Sequence, residues 1–519
     1  MKKVFLTYFI LTISSFGQGI PLSFELIPKN LSKINDTFPS GNTTERILIQ
    51  GNTIWIGTSK GLSKSTDYGV TWTNYFQKEP FGDKSISAIA YRDGVIWTAL
   101  WSPISIAGSS DGQGEGLAYS TDNGNTWVKI NQPVDTMADS LIQYGNNIIK
   151  ATPVTVVGQN FTYGIGLTKD AVWIVSRAGG LRKSTDMGKT WKRVVLPPDN
   201  LNSIKPTDVL NFELKPKAGD KGNNNHIPVS ICVVGDDTLY VGTGGGINKS
   251  TDGGISWVKM NSTNQNNPIS GNHIWKISYN QYDNSIWAAT WKAEGQNEFW
   301  AVSYSYNGGK NWNITLPNSR AMDIAFRPIT SSFADVVIAT QDGLFRSSNN
   351  GKTWLAAPQI YDDATKILVN TKHFRSVQSQ IVNNDLAYIW IGSLGSGLIR
   401  FEDKKNMWNG SWKVLLKSGE YTLKKETFAF PNPFSPLSIS TRIKYSLDRS
   451  ANVTIRIFDF GMNLVRTVIQ NAPRGPSDEH LENWDGRDEG GKIVPNGVYF
   501  YRIDIGNDEP LFGKIIVLM

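Results

Sequence analysis

The sequence predicts an all-β chain, a seven-bladed β-propeller followed by a small β-sandwich, and three observations carry the prediction. An octapeptide recurs: Ser65 to Trp72 (STDYGVTW), Ser120 to Trp127 (STDNGNTW), Ser184 to Trp191 (STDMGKTW) and Ser250 to Trp257 (STDGGISW), then Ser305 to Trp312 (SYNGGKNW) and Ser347 to Trp354 (SSNNGKTW), with Phe401 to Trp408 (FEDKKNMW) as a decayed seventh. Several copies follow a short apolar run of strand type and a Gly turn, as in Thr53 to Asp67 (TIWIGTSKGLSKSTD) and Thr238 to Asp252 (TLYVGTGGGINKSTD). The 49 Gly and 18 Trp come without a long apolar pattern of helical period, which favours short strands and tight turns. Successive box tryptophans lie 55, 64, 66, 55, 42 and 54 residues apart, so the unit persists while its insertions vary, as in a propeller or a solenoid. Each unit reads strand, strand, Gly turn, strand, box, strand.

The first residues read as an address. Lys2 and Lys3 precede an apolar stretch from Val4 to Ile13, and Ser15 and Gly17 stand at signal-peptidase spacing, so residues 1–17 are expected to be removed to leave Gln18 first. The run is too short to span a bilayer, so the mature chain is expected to lack a transmembrane segment and to be secreted or held at the outer cell surface, by way of the periplasm of a Gram-negative bacterium. The propeller is expected over residues 18–422. Ser23 to Ile27 (SFELI) reads like the strand after each box and is expected to pair with the last blade, closing the ring and removing free sheet edges.

Composition limits the chemistry. The net charge of +7 is spread over 519 residues without basic runs among aromatics, so nucleic acid is not an expected partner. Cys232 is the one cysteine, which rules out an intrachain disulfide, and its apolar surroundings suggest a buried, inert thiol. His226, His273, His373 and His480 show no ligand spacing, so neither metal nor cofactor is expected.

The octapeptide spacing has a mechanical explanation. An acid at its third position can accept backbone N–H bonds inside the turn, the glycine can take a positive φ, and the tryptophan opens the next strand with its ring beneath the hairpin. Structural box residues are therefore Asp67 with Trp72, Asp122 with Trp127, Asp186 with Trp191, and Asp252 with Trp257. Asn307 with Trp312 and Asn349 with Trp354 complete the set, and an amide there accepts hydrogen bonds without charge, which argues against catalysis or metal binding by the boxes.

The box resembles the Asp-box of the BNR repeat family, found in sialidases, sortilin-like receptors, xyloglucanases and photosystem II assembly factors. The resemblance implies boxes between the third and fourth strands of each blade, on the face opposite a ligand site built from second-to-third-strand loops and blade crossings. On that reading the insertions matter. Ile96 to Gly116 (IWTALWSPISIAGSSDGQGEG) and Ile286 to Trp300 (IWAATWKAEGQNEFW) each place a second tryptophan past the end of the second strand. Trp101, Trp291, Phe299 and Trp300, with Asp111 and Glu294, form a candidate glycan or peptide platform; packing between blades is the alternative role for these rings. The arginine cluster and Arg-Ile-Pro motif of sialidases have no counterpart before Ser65, and the xyloglucanase-like enzymes use two propellers where this chain has boxes for one. Among Asp111, Glu115, Asp208, Glu294 and Asp362 no spacing selects a carboxylate pair, so no catalytic residue is assigned and the chain is expected to be a binding protein. An extracellular glycoside hydrolase and an envelope-assembly scaffold are the alternative functions.

Composition changes after Trp412. A Pro-rich linker is expected over residues 423–438, containing Phe428 to Pro436 (FAFPNPFSP), and a sandwich over 439–519 with strands at Ser440 to Leu447, Ala451 to Phe460, Leu464 to Gln470, Gly497 to Ile505 and Leu511 to Met519. Pro431-Asn432-Pro433-Phe434, Tyr445-Ser446-Leu447, Val453 to Asp459, Trp484-Asp485-Gly486-Arg487-Asp488, Pro495-Asn496-Gly497-Val498-Tyr499 and Lys514 to Met519 resemble the Ig-like module of flagellar hook-capping (FlgD-type) proteins and the C-terminal sorting domain of the type IX (Por) secretion system. This implies the type IX machinery as an export partner, with the propeller as a monomeric cargo for a glycan or protein ligand. Trp484 is expected to plug the sandwich, and Asp485-Gly486 and Asn496-Gly497 to make tight turns.

Overall fold

In a computed structural model, which describes residues 36–106, 109–365, 367–417, 427–447 and 449–519, each repeat folds into its own small antiparallel sheet. The first consists of Thr44–Gln50, Thr53–Thr58, Gly61–Ser65 and Thr73–Asn74, paired in chain order. Six more sheets of the same topology span residues 85–130, 162–193, 228–260, 273–315, 321–356 and 374–415. Helix is confined, among the described residues, to two short 3-10 turns, Met137–Ser140 and Asn224–His226. The segments expected to be a signal peptide (1–17, leaving Gln18) and a closing strand (Ser23 to Ile27) lie outside the described residues.

The second strand of each sheet is a continuous apolar run buried on both faces, and its period of two divides the core. Ile54 and Ile56 pack with Trp390 and Leu398 of the seventh sheet, while Trp55 between them packs with Ile86, Ile96 and Leu100 of the second. The same alternation repeats between every adjacent pair of sheets, so seven apolar layers follow one another round a cycle. The first strands of the sheets also touch in sequence, and Phe374–Ile381 of the seventh lies against Thr44–Gln50 of the first.

Closure is held by side chains. The amide of Asn42 donates to Lys417 O (3.1 Å) and accepts from Lys417 N (2.9 Å), and Arg375 forms an ion pair with Glu45 (2.6 Å). Asp36 bridges Trp72 at the outer edge of the first sheet. The crossing before the fourth sheet is structured as well: Ser203–Ile204 adds a fifth strand to that sheet, and Glu213–Leu214 pairs in parallel with Asn147–Ala151 of the insertion after the second sheet.

The carboxyl-terminal module has one core between two sheets. Phe428–Phe430, Thr441–Leu447 and Ser477–Trp484 form one, and Leu464–Arg474, Ala451–Phe458, Gly497–Ile505 and Leu511–Val517 the other. Trp484 is 1 % exposed among Phe434, Ile443, Tyr445 and Tyr501, the plug expected of it. Two expectations need correction. Phe428–Phe430, inside the supposed linker, pairs with residues 442–444, and Phe434 is buried in the core. The prolines that suggested a break follow this edge strand instead of interrupting it. Gly497 begins a strand without a positive φ, so Asn496-Gly497 is no tight turn, whereas Gly486 has φ +74°.

Candidate functional site

Every box spans the connection from third to fourth strand. In the first, Ser65 Oγ donates to Asp67 Oδ1 (2.8 Å) and accepts from Gly69 N (2.9 Å), while Asp67 accepts from Thr71 N (2.9 Å) and Thr71 Oγ1 (2.6 Å). Tyr68 and Gly69 both take positive φ, +57° and +78°. The amide oxygens of Asn307 and Asn349 accept from Asn311 N (3.0 Å) and Thr353 N (2.9 Å), so acceptance without charge suffices. Each such bond contributes about 0.5–1.5 kcal/mol, whereas deleting a buried Trp costs about 3–5 kcal/mol. This difference explains the seventh box, which retains a buried Trp408 while Asp403 is turned into a buried ion-pair network with Arg327 and Arg346.

Four of the boxes are also gripped by the preceding sheet. Lys64, Lys183, Lys249 and Arg400 stand directly opposite Trp55, Trp173, Tyr240 and Trp390 in strand register, with the cation over the ring at 5.0, 4.6, 5.3 and 5.7 Å. All four donate to the carbonyl of the fourth residue of the next box: Asn123 (2.7 Å), Gly253 (3.4 Å), Gly308 (3.0 Å) and, across the closure, Tyr68 (3.0 Å). The Lys-Ser before several boxes was visible in the sequence; its partner, one sheet away, was not. The boxes are thus occupied with holding sheets together.

In an antiparallel meander the second-to-third-strand turns lie at the end opposite the boxes, and the candidate residues gather at that end. Trp101 and Trp291 occupy equivalent places, paired with Ser85 and His273 near the start of the innermost strands. Trp101 stacks on Phe161 (5.5 Å), which packs on Tyr163 (4.2 Å). Trp291 lies parallel to Trp275 (4.8 Å, 6°) beside His273 (6.1 Å), with its indole N–H donated to Ala321 O (2.8 Å). Exposed Arg177, in the turn of the third sheet, acts electrostatically on both groups. Burial raises the Tyr163 pKa against the opposing charge of Arg177; burial, then Arg177, lowers that of His273. Arg46 sits among Glu45, Asp323, Arg375 and Tyr163, from the innermost strands of the first, sixth, seventh and third sheets, which places these groups at the centre of the cycle.

The remaining candidates have other engagements. Asp111 accepts from Gln159 (2.5 Å), Glu294 forms an ion pair with Lys217, and Trp300 carries the Arg320 guanidinium over its ring (4.4 Å). Phe299 is half-buried, its N–H donated to Ser270 O (3.0 Å). Glu298 is buried and ties its loop together by accepting from Asn272 N (3.1 Å), Ala293 N (2.7 Å) and Gly295 N (3.1 Å). Glu115 accepts from Ser102 and Gln113; burial alone would raise its pKa, but these bonds and Lys84 outweigh it and hold the carboxyl low. Phe161, Tyr163, Arg177, His273 and Trp275 were missed from sequence. The aromatic starts of TYGIGLT and HIWKISYN were the available signal, since neighbouring repeats begin the same strand with small residues.

Cys232 is half-buried where a buried thiol was expected, and desolvation pushes its thiol up to about 11, so it is a poor nucleophile at neutral pH. Among the described residues no group of three or more His, Cys, Asp or Glu could hold a metal, and no helix is long and apolar enough to cross a membrane.

No protein-family profile matches the chain. A curated relative, the probable oligoxyloglucan-reducing end-specific xyloglucanase of Neosartorya fischeri, is 26% identical over 255 residues; the match covers 47% of this chain and 27% of that enzyme, so the chain spans about a quarter of its relative. Among solved structures it is similar to PorZ, a surface component of the type IX secretion system of Porphyromonas gingivalis (TM-score 0.41, 14% identity, 91% of this chain and 64% of that one). It is also similar to YCF48 of Cyanidioschyzon merolae (TM-score 0.40, 13% identity, 77% and 95%) and to the extracellular domain of the hybrid two-component system BT3049 of B. thetaiotaomicron (TM-score 0.31, 12% identity, 91% and 72%).

Proposed function

We propose that the chain is a seven-bladed β-propeller carrying an Ig-like sorting module of type IX secretion, exported through a signal peptide, and that its propeller is a secreted or cell-surface binding protein for a glycan, peptide or protein. The observation that carries the binding reading is the aromatic surface opposite the boxes. Two stacks, Trp101 with Phe161 and Tyr163, and Trp291 with Trp275 and His273, flank the exposed guanidinium of Arg177. Flat ring faces beside a cation suit sugar rings or aromatic side chains bearing acidic groups. Hydrolysis of glycosides requires two carboxyl groups set across the scissile bond. The acids near this surface serve other bonds: Asp111 holds Gln159, Glu298 its own loop, and Asp323 pairs with Lys276 (2.9 Å) and accepts from Val377 N (3.1 Å). This favours binding over catalysis.

The test is retention on immobilised polysaccharides and peptide arrays of wild type, Trp101→Ala, Trp291→Ala and Arg177→Ala. Loss of one ligand class by all three variants, with unchanged thermal midpoints, is expected; equal retention by all would remove the platform. Mass spectrometry of both termini of the protein from fractionated cells tests export, with a surface form beginning at Gln18 expected.

A further inference from the structure

A cavity of about 850 Å³ lies where the carboxyl-terminal module meets the box-free end of the sixth and seventh sheets. Its walls come from both parts: the turn of the sixth sheet and residues 369–374 before the seventh on one side, and residues 440–442 and 479–483 on the other. Arg474 is neutralised by Glu482 (2.8 Å) and Glu479 by Lys444 (3.5 Å), and Asp342 stands exposed at the rim. Arg442 and Lys372 line the same space with no ion pair among the described residues.

The cavity wall also contains polar atoms that no described residue satisfies. The Asn370 Nδ2 amide and both ring nitrogens of His373 are shielded from solvent and have no hydrogen-bond partner among the described residues. Buried donors left unpaired cost about 1–3 kcal/mol each, so orphans gathered in one roomy, polar place mark a missing partner. Burial first, then the charges of Arg375 and Arg442, holds His373 down at about 3, so at neutral pH it offers one N–H donor and one acceptor. Two unpaired cations and two orphan donors are complementary to an oxyanion.

We propose that this cleft binds an oxyanion group, a carboxylate, sulfate or phosphate, between Arg442 of the carboxyl-terminal module and Asn370, Lys372 and His373 of the propeller. The site is separate from the aromatic platform and exists only while the module is attached. Lys372 and Arg442 supply charge; Asn370 and His373 supply directed hydrogen bonds. Such bonds to a charged oxygen are roughly twice as strong as neutral ones.

The full-length chain would be titrated with sodium sulfate, phosphate or acetate against sodium chloride at equal ionic strength, following the imidazole NMR resonances of His373, one of four histidines. A saturable shift of His373 with at least one oxyanion, and none with chloride, is expected. Arg442→Ala and Asn370→Ala should weaken that response at least tenfold, while Arg449→Ala, at an exposed residue that does not line the cavity and is paired with Asp508, should leave it unchanged. A His373 resonance that does not move, or moves equally in Arg442→Ala, would overturn the proposal. Comparing sulfate with a sulfated oligosaccharide separates a free ion from a polymer-borne group: tighter binding of the latter identifies a glycan source.

Discussion

A Cβ on Gly69 would stand 2.4 Å from Cη2 of Trp390, so the box of the first sheet closes down on an indole of the seventh. The same approach joins Gly124 to Trp55 (2.6 Å), Gly188 to Trp97 (3.1 Å), Gly254 to Trp173 (2.5 Å) and Gly351 to Trp287 (2.9 Å). The box glycine therefore serves its own turn and the fit of the neighbouring sheet together.

Gly69→Ala should destabilise the chain through both roles. The left-handed φ alone costs about 1–2 kcal/mol, and the overlap with Trp390 adds to it. Gly51 has a similar φ of +56° and open space around it, so Gly51→Ala isolates the backbone part. Equilibrium denaturation should rank Gly69→Ala clearly below Gly51→Ala; equal losses would mean that the box does not seat on the indole.

Asn42→Ala removes both hydrogen bonds to the Lys417 backbone at the closure. A loss of about 1–3 kcal/mol is expected from bonds at a part-buried backbone. Hydrogen exchange should rise first in the first and seventh sheets and leave the fourth protected. Uniform loss of protection would show that the cycle opens elsewhere.

Asp403 is wholly buried between Arg327 and Arg346, and Arg346 also pairs with Asp335 (2.7 Å). Asp403→Ala leaves two guanidiniums opposite one carboxylate and should cost about 3–5 kcal/mol, as removal of one partner from a buried charge network does. Replacing Arg327 by Met in the same chain should recover part of that loss, measured as a double-mutant cycle.

Acid should release the boxes in a defined window. Hydrogen bonds from Thr126 and Thr190 lead those that hold the Asp122 and Asp186 carboxyls at about 2, below the ordinary 3.8. A depressed folded pKa contributes stability that is complete above the unfolded value and vanishes as pH falls through the folded one. The thermal midpoint should be insensitive to these groups above about pH 4 and fall towards pH 2. The pair Asp122→Asn and Asp186→Asn, which keeps an acceptor as Asn307 does, should flatten that fall. An unaltered profile would assign the acid loss to other groups.

Much of this protein could be read from its residues because its information is local. A Ser, an Asp, a Gly and a Trp at fixed offsets close a turn through bonds spanning at most four residues, and an apolar run such as Ile54 to Ile56 must be buried on both faces wherever it sits. The all-β class, the repeat boundaries and the position of the boxes followed from that chemistry. The candidate platform was only half legible, since Trp101 and Trp291 announced themselves while Phe161, Arg177 and Trp275 became relevant through neighbours far along the chain. The diversion of Asp403 into a buried ion network, the grip of Arg400 on Tyr68 across the closure, and the cleft shared by Arg442 and His373 were decided by tertiary structure alone. Each joins residues of different sheets or modules whose proximity arises only when those elements pack, and nothing in the spacing of a linear chain encodes such a distance directly.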